Sequence, residues 1–250
     1  MNLEKFFTDN PNVAIAFSGG VDSTYLIYAA KKYAQRVKAY LVQSSFQPNF
    51  EIQEALEFAM KLGVELHVEP VDILANRSVA ANPANRCYLC KQNIFGKIWE
   101  LARADGFGVL CDGTNASDDY DDRPGMKALK ELGVRSPLRE AGLTKADIRV
   151  LSEKANLPTY NKPSYACLAT RVPTGTLITQ KILNKVELAE DALFEMGYGG
   201  FRVRYLGDSA KLEFPQADLP SVIEHREEIV QKLSPYFDNV YLDLKPRKGD

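Results

Sequence analysis

Apolar residues in the first half of the chain fall into short unbroken runs, at residues 13–17 (VAIAF), 37–43, 64–68 and 108–113, with 134–138 as a fifth. Between them lie segments of helical period, Val21–Tyr33, Asn49–Leu62, 91–104 and 123–132. Continuous apolar strands separated by helices of this length predict a parallel sheet with crossover helices, an α/β fold. Such sheets bind ligands at the carboxyl ends of their strands. Thr144 is placed to cap a further helix, TKADIRVLSEKANL, which a Leu-Pro pair stops.

The pattern then changes. Residues 161–176, NKPSYACLATRVPTGT, are irregular and rich in Pro, Thr and Gly. A helix over 179–196, strands over 201–206 and 210–214, a helix over 219–233 and a strand over 240–244 follow. That order, αββαβ, describes a smaller α+β domain. The boundary is expected near Gly175, giving domains over 1–175 and 176–250, the second for substrate binding or oligomerisation.

Composition narrows the class. The 250 residues are 45% hydrophobic and 26% charged, ordinary for a soluble chain that buries a sizeable core. Net charge is −2, with +1 over residues 1–175 and −3 over 176–250, so no basic field points to nucleic acid or an anionic membrane. No apolar run approaches the ~18 residues of a membrane span, and the acidic start MNLEKFFTDNPN does not read as a secretory signal. Four cysteines are too few for a disulfide scaffold. The expectation is a cytoplasmic enzyme or binding protein whose thiols are reduced or metal-bound.

The sharpest chemical signal is Ser18-Gly19-Gly20-Val21-Asp22-Ser23, between the first strand and the first long helix. Paired glycines let successive N–H groups converge on an anion, and the helix start adds its own. Ser18 and Ser23 supply hydroxyl donors, while Asp22 suits the Mg²⁺ that accompanies a triphosphate. No Gly-Lys-Ser/Thr follows, so this is not a Walker A loop. The plainer reading is a glycine-rich turn capped by serine. The loop resembles the PP-loop family of N-type ATP pyrophosphatases, whose signature is SGGxDS. Members adenylate a substrate, release pyrophosphate and let a nucleophile displace AMP. The resemblance implies that Ser18, Gly19, Gly20, Asp22 and Ser23 bind ATP and Mg²⁺. Asp112-Gly113-Thr114-Asn115, closing the fourth strand, lies where that family's nucleotide also lies, and is otherwise a plain turn.

Cys87-Tyr88-Leu89-Cys90 sits at a helix start, Cys167 lies in the irregular segment, and Cys111 belongs to an apolar run and reads as a core thiol. Several readings compete for the first three. Their polar surroundings disfavour simple burial of Cys87 and Cys90. A redox dithiol leaves Cys167 without a role. Zinc wants a fourth ligand, and the only histidines, His67 and His225, fall on a strand and a polar helix face. Three thiolates with no fourth partner suit a [4Fe–4S] cluster with one open iron, able to bind sulfide for a sulfur-transfer enzyme.

Longer strings extend the likeness. RCYLCK at 86–91, DGTN at 112–115 with Asp118-Asp119, Arg123-Pro124-Gly125, and ACLATRVP at 166–173 follow SGGVDS in an order similar to that of the LarE family. The resemblance covers about the whole chain, including Arg202-Val203-Arg204. It implies an ATP-dependent sulfurtransferase that thiolates pyridinium-3,5-biscarboxylic acid mononucleotide, a small-molecule nucleotide, during assembly of a nickel-pincer cofactor. Some members sacrifice the sulfur of a cysteine at the position of Cys167. Others carry three cysteines and a cluster, and Cys87, Cys90 and Cys167 place this chain with them. The resemblance further implies substrate binding by Arg202 and Arg204, with Arg171, Glu190 and Asp218, a homo-oligomer, and a sulfide donor still to be identified. From spacing alone, Arg202 and Arg204 share one strand face, which also describes an ordinary charged surface. Rival readings are a PP-loop tRNA thiolase with the same cluster, which the near-neutral charge disfavours, a sensing module without chemistry, and a zinc-structured ligase.

Overall fold

The structure, a computed structural model, describes residues 2–118 and 124–247. In chain order its elements are α1 (Leu3–Asp9), β1 (Asn12–Ala16), α2 (Val21–Tyr33), β2 (Arg36–Gln43), α3 (Asn49–Leu62), β3 (Glu65–Pro70), α4 (Arg77–Ala80), α5 (Arg86–Ala104) and β4 (Leu110–Cys111). Then come α6 (Pro124–Glu131), α7 (Pro137–Glu140), α8 (Lys145–Lys154), α9 (Gln180–Glu195), β5 (Arg202–Leu206), β6 (Ser209–Glu213), α10 (Leu219–Glu224), α11 (Arg226–Leu233) and β7 (Asn239–Leu242). The chain divides into one compact unit of residues 1–73 and 85–162 and another of 74–84 and 163–250. The expected boundary at Gly175 falls inside the second.

In the first unit β3, β2, β1 and β4 form a sheet in that order, every pairing parallel. Alternate residues explain its two covered faces. Val13 and Ile15 of β1 with Ala39 and Leu41 of β2 join the core beneath α1, α2, α3 and α8, where Phe6, Phe7, Leu26, Ile27, Ile52 and Ile148 are buried. Ala14, Tyr40, Val42 and Leu110 point the other way, onto Ile98, Trp99 and Ala102 of α5. Both faces being buried is why the strands read as unbroken apolar runs. This is the expected α/β architecture of a PP-loop domain, accompanied by a smaller α+β unit.

Two expectations need correction. Residues 134–138 do not form a strand. Arg135 makes only an isolated parallel bridge with Cys111, and Pro137 then opens α7. Proline has no N–H for a ladder and is pre-set for the first turn of a helix. The single helix expected over 219–233 is two, α10 and α11, meeting at His225, whose ring Nδ1 lies 2.8 Å from the Ser221 carbonyl. Arg123, expected to begin a helix, and Asp119 lie outside the described residues; α6 is described from Pro124.

In the second unit β5 and β6 pair antiparallel across a two-residue turn, Arg202 opposite Glu213 and Leu206 opposite Ser209, and β7 adds parallel to β6. Leu183, Val186, Ala189 and Leu193 give α9 its buried face. Phe201 packs against Phe194 and Phe214, with ring centroids 4.8 and 5.4 Å away. The segment 74–84 joins this unit through Asn82, which donates from Nδ2 to Val172 O and Pro173 O at 3.2 and 2.8 Å and accepts from Gly175 N at 2.8 Å.

Candidate active site

The phosphate loop spans the gap between β1 and α2. Gly20 occupies the N-cap of α2, and no side chain caps the helix there. Gly19 has φ +70°, and a Cβ at this position would stand 2.8 Å from Ala55 Cβ and 2.9 Å from Ala55 Cα on α3. Only glycine satisfies both the left-handed backbone and that approach. Ser18 Oγ and Ser23 Oγ are 3.2 Å apart, so the two hydroxyls present a paired face. Gly113, at the end of β4, closes over the loop, where a Cβ would stand 3.0 Å from Ser23 N. Lys162 Nζ donates to Gly19 O at 3.2 Å and pairs with Glu54 at 2.6 Å, holding the loop from behind.

Asp22 leaves its two oxygens in different states. Oδ2 is 2.6 Å from Lys145 Nζ, while Oδ1 is buried without a hydrogen-bond partner among the described residues. A buried carboxylate oxygen without a donor is costly, and a divalent cation is the ligand that relieves it. The donor set fits Mg²⁺. Asp112 is buried at the end of β4, accepting from Ser136 Oγ at 2.6 Å and from the Thr114 hydroxyl. Burial raises its carboxyl above the usual carboxylate range, and the two hydroxyls and nearby Lys91 offset only part of that rise.

These groups line one pocket of about 510 Å³. Ser18, Gly20, Asp22 and Ser23 form one side, Asp112, Gly113, Thr114 and Asp118 another, and Tyr40, Val42, Ile94, Phe95, Ile98 and Met126 an apolar wall. A polar anion cradle beside an apolar wall suits a nucleotide, whose phosphates and base need opposite environments.

Helix α5 starts at Arg86, five residues before the expected Lys91, and carries Cys87 and Cys90 in its first turns. Three residues apart on a helix, they are surface neighbours. Cys87 is exposed and lines the pocket with Lys91, and Arg86 Nη2 lies 3.5 Å from its sulfur. Cys90 is half-buried. Cys111 is fully buried, and burial raises its thiol pKa far above the ordinary value, so it is an inert core thiol as expected. Cys167 belongs to the second unit, half-buried, directly before a 3₁₀ turn at Leu168–Arg171. Among the described residues no group of three or more His, Cys, Asp or Glu side chains is gathered for a metal ion.

The second unit brings Arg171, Glu190 and Arg202 together in its interior, at 1%, 1% and 3% exposure. Arg171 Nε and Nη2 donate to Glu190 at 2.8 and 3.0 Å. Tyr165 donates its hydroxyl to the same carboxylate, and burial with the Glu190 charge raises that phenol beyond its ordinary value. Burial, then repulsion from Arg171 and Arg247, lowers the Arg202 pKa to about 10. Arg204 is partly exposed, with Nε 2.8 Å from Glu213. Asp218 stands apart from this cluster at the start of α10, in a separate polar depression with Tyr198, Ser221, His225 and Glu228. Sequence reasoning missed Lys145, Lys162, Lys91 and Ser136. Only Lys91 carried a local signal, one helical turn after Cys87 on the pocket face.

Comparison with known proteins agrees with this geometry. The asparagine synthase family matches residues 6–82, the stretch that contains the phosphate loop. A protein of Synechocystis sp. described as uncharacterized is 36% identical over 98% of this chain and 92% of its own length. An uncharacterized protein of Methanocaldococcus jannaschii is 29% identical over 98% of this chain and 93% of its own. The pyridinium-3,5-bisthiocarboxylic acid mononucleotide synthase of Lactiplantibacillus plantarum is 31% identical over 94% of this chain and 87% of its own. Likeness of that extent reaches well past the phosphate loop and into the smaller unit, and the chain belongs to the LarE family of PP-loop ATP pyrophosphatases.

Proposed function

We propose that the chain is an ATP-dependent sulfurtransferase that adenylates a carboxylate of pyridinium-3,5-biscarboxylic acid mononucleotide and converts it to a thiocarboxylate. The observation that carries this reading is the Oδ1 of Asp22, without a partner among the described residues, in a nucleotide-sized pocket built on a phosphate loop, in a chain similar to a synthase of the bisthiocarboxylic nucleotide. Backbone N–H groups of Gly19 and Gly20 and the hydroxyls of Ser18 and Ser23 hold the β- and γ-phosphates of ATP. Asp22 holds Mg²⁺, and Gly113 and Thr114 close the nucleotide side of the pocket. The substrate carboxylate attacks the α-phosphorus; a new P–O bond forms as the bond to pyrophosphate breaks. Lys91 and Lys145 offset the negative charge that builds there. The carboxylate carbon, a poor electrophile, now carries AMP as its leaving group, and sulfur displaces it.

Cys87, Cys90 and Cys167 are the thiols proposed to hold a [4Fe–4S] cluster, since Cys111 is buried and inert. When bound, such a cluster would hold an exogenous sulfide for the activated carbon. The residues proposed to meet the substrate are Arg204 and Asp218, which keep exposed surface.

Anaerobic purification followed by iron, sulfide and zinc analysis tests the sulfur source. A brown protein with about four irons per chain supports the cluster. A colourless protein whose mass falls by one hydrogen sulfide after turnover supports Cys167 as a sacrificed donor that ends as dehydroalanine. Absence of pyrophosphate release with Mg-ATP and the dicarboxylate nucleotide overturns the adenylation itself.

A further inference from the structure

We infer that the buried Arg171–Glu190–Tyr165 cluster positions the loop that carries Cys167 and does not contact the substrate, while Arg202 and Arg204 add hydrogen bonds to the same loop. The inference rests on the proposed function only for the meaning of Cys167. Residues 164–167 belong to no helix or strand, so their backbone carbonyls need partners from elsewhere. Arginines provide them almost residue by residue. Arg202 Nη2 donates to Ser164 O at 3.1 Å, Arg171 Nη1 to Ala166 O at 2.8 Å, and Arg204 Nη1 to Thr170 O at 2.7 Å. Cys167 O accepts from Thr170 Oγ1 at 2.8 Å and Thr170 N at 2.9 Å, and Arg171 Nη1 fixes that hydroxyl at 2.9 Å. The rigid, several-pronged guanidinium reaches a run of carbonyls as lysine cannot.

Glu190 holds the device together. Its Oε1 accepts from Arg171 Nε at 2.8 Å and from Val203 N of β5 at 2.9 Å. Its Oε2 accepts from Arg171 Nη2 at 3.0 Å and from the Tyr165 hydroxyl. Both oxygens are therefore committed, at 1% exposure, and no face of this carboxylate is left for a ligand. Arg171 and Arg202 also lie over the Tyr165 ring, 4.6 and 5.2 Å from its centroid. Strand β5 and helix α9 thus grip the peptide on both sides of Cys167, and the sulfur's direction follows from theirs.

The test uses the full chain as purified, with Glu190→Gln and the milder Tyr165→Phe, which removes one hydroxyl. Hydrogen exchange read by mass spectrometry should quicken at residues 164–171 by about tenfold or more, with exchange in the phosphate loop unchanged. In turnover of the dicarboxylate nucleotide, kcat should fall about a hundredfold, the cost of misplacing a reacting group by about an ångström, with KM for that substrate little changed. Unchanged exchange at 164–171 in Tyr165→Phe overturns the inference, and so does a raised KM at constant kcat, which marks substrate contact. If Glu190→Gln does not fold, Tyr165→Phe decides alone. A wild-type chain that does not turn over defeats the proposed function, and the exchange measurement still decides the loop.

Discussion

Gly19 bears two demands at once, a φ of +70° and contact with Ala55 at a distance no Cβ tolerates. Left-handed backbone costs an L-residue about 1–2 kcal/mol, before any displacement of α3. Gly19→Ala should therefore weaken Mg-ATP binding at least about tenfold in calorimetric titration. Pairing it with Ala55→Gly removes only the Cβ part of the contact and leaves residue 55 Cα at 2.9 Å together with the backbone strain, so recovery should be small. Full recovery would show that φ carries no cost here. Asp112 offers a pH test. Burial raises its pKa, so the folded chain binds this proton more tightly than the unfolded chain. Its contribution to stability is present below the ordinary carboxylate pKa of about 4 and is lost as pH rises through the folded value. Asp112→Asn should remove that loss, and urea unfolding of both proteins between about pH 4 and pH 8 should show the difference in slope. Parallel curves would mean that Ser136, Thr114 and Lys91 compensate the burial fully.

Elements buried on both faces were the most readable in sequence. β1, β2, α2 and α3 lie close to where their apolar runs put them, because nothing competes with burial there. The fifth apolar run failed because Pro137 opens a helix where a strand would need its N–H. Cys87 and Cys90 were assigned to a helix start, yet α5 begins early enough to enclose both, an extension that polar ANPANR does not announce. Of the site, the loop, Asp22, Gly113 and Thr114 were legible as motifs. Lys145 and Lys162 were not, because they reach the loop from more than a hundred residues away in sequence. The start of α8 was read correctly, and the structure adds its reciprocal bonds. Thr144 Oγ1 accepts from Asp147 N at 3.2 Å and Asp147 Oδ2 accepts from Thr144 N at 2.9 Å. Thr144→Ala should cost about 1 kcal/mol in thermal or denaturant unfolding. Since Lys145 follows directly and pairs with Asp22, the same change should also weaken Mg-ATP binding. A stability loss with unaltered affinity would separate the cap from the site.

At the scale of the molecule, the residues that line the nucleotide pocket all belong to the unit of residues 1–73 and 85–162. The arginine cluster around Cys167 belongs wholly to the other. A ligand stabilises the folded state it binds in proportion to the logarithm of its concentration over Kd. At a hundred times Kd this amounts to about 2.7 kcal/mol, roughly a hundredfold slowing of exchange for amides that open only when the site is lost. Saturating Mg-ATP should therefore protect amides of β1, α2 and the turn after β4. Amides of β5 and β6, which belong to the other unit, should change far less. Hydrogen exchange with and without Mg-ATP measures both sets in one experiment. Equal protection of β5 and β6 would mean that the two units open together, and that nucleotide occupancy is felt at the Cys167 loop. Protection confined to the first unit would leave that loop to its own arginines, and under the proposed function the two units would then contribute separately, the first to activating the carboxylate and the second to aiming the sulfur.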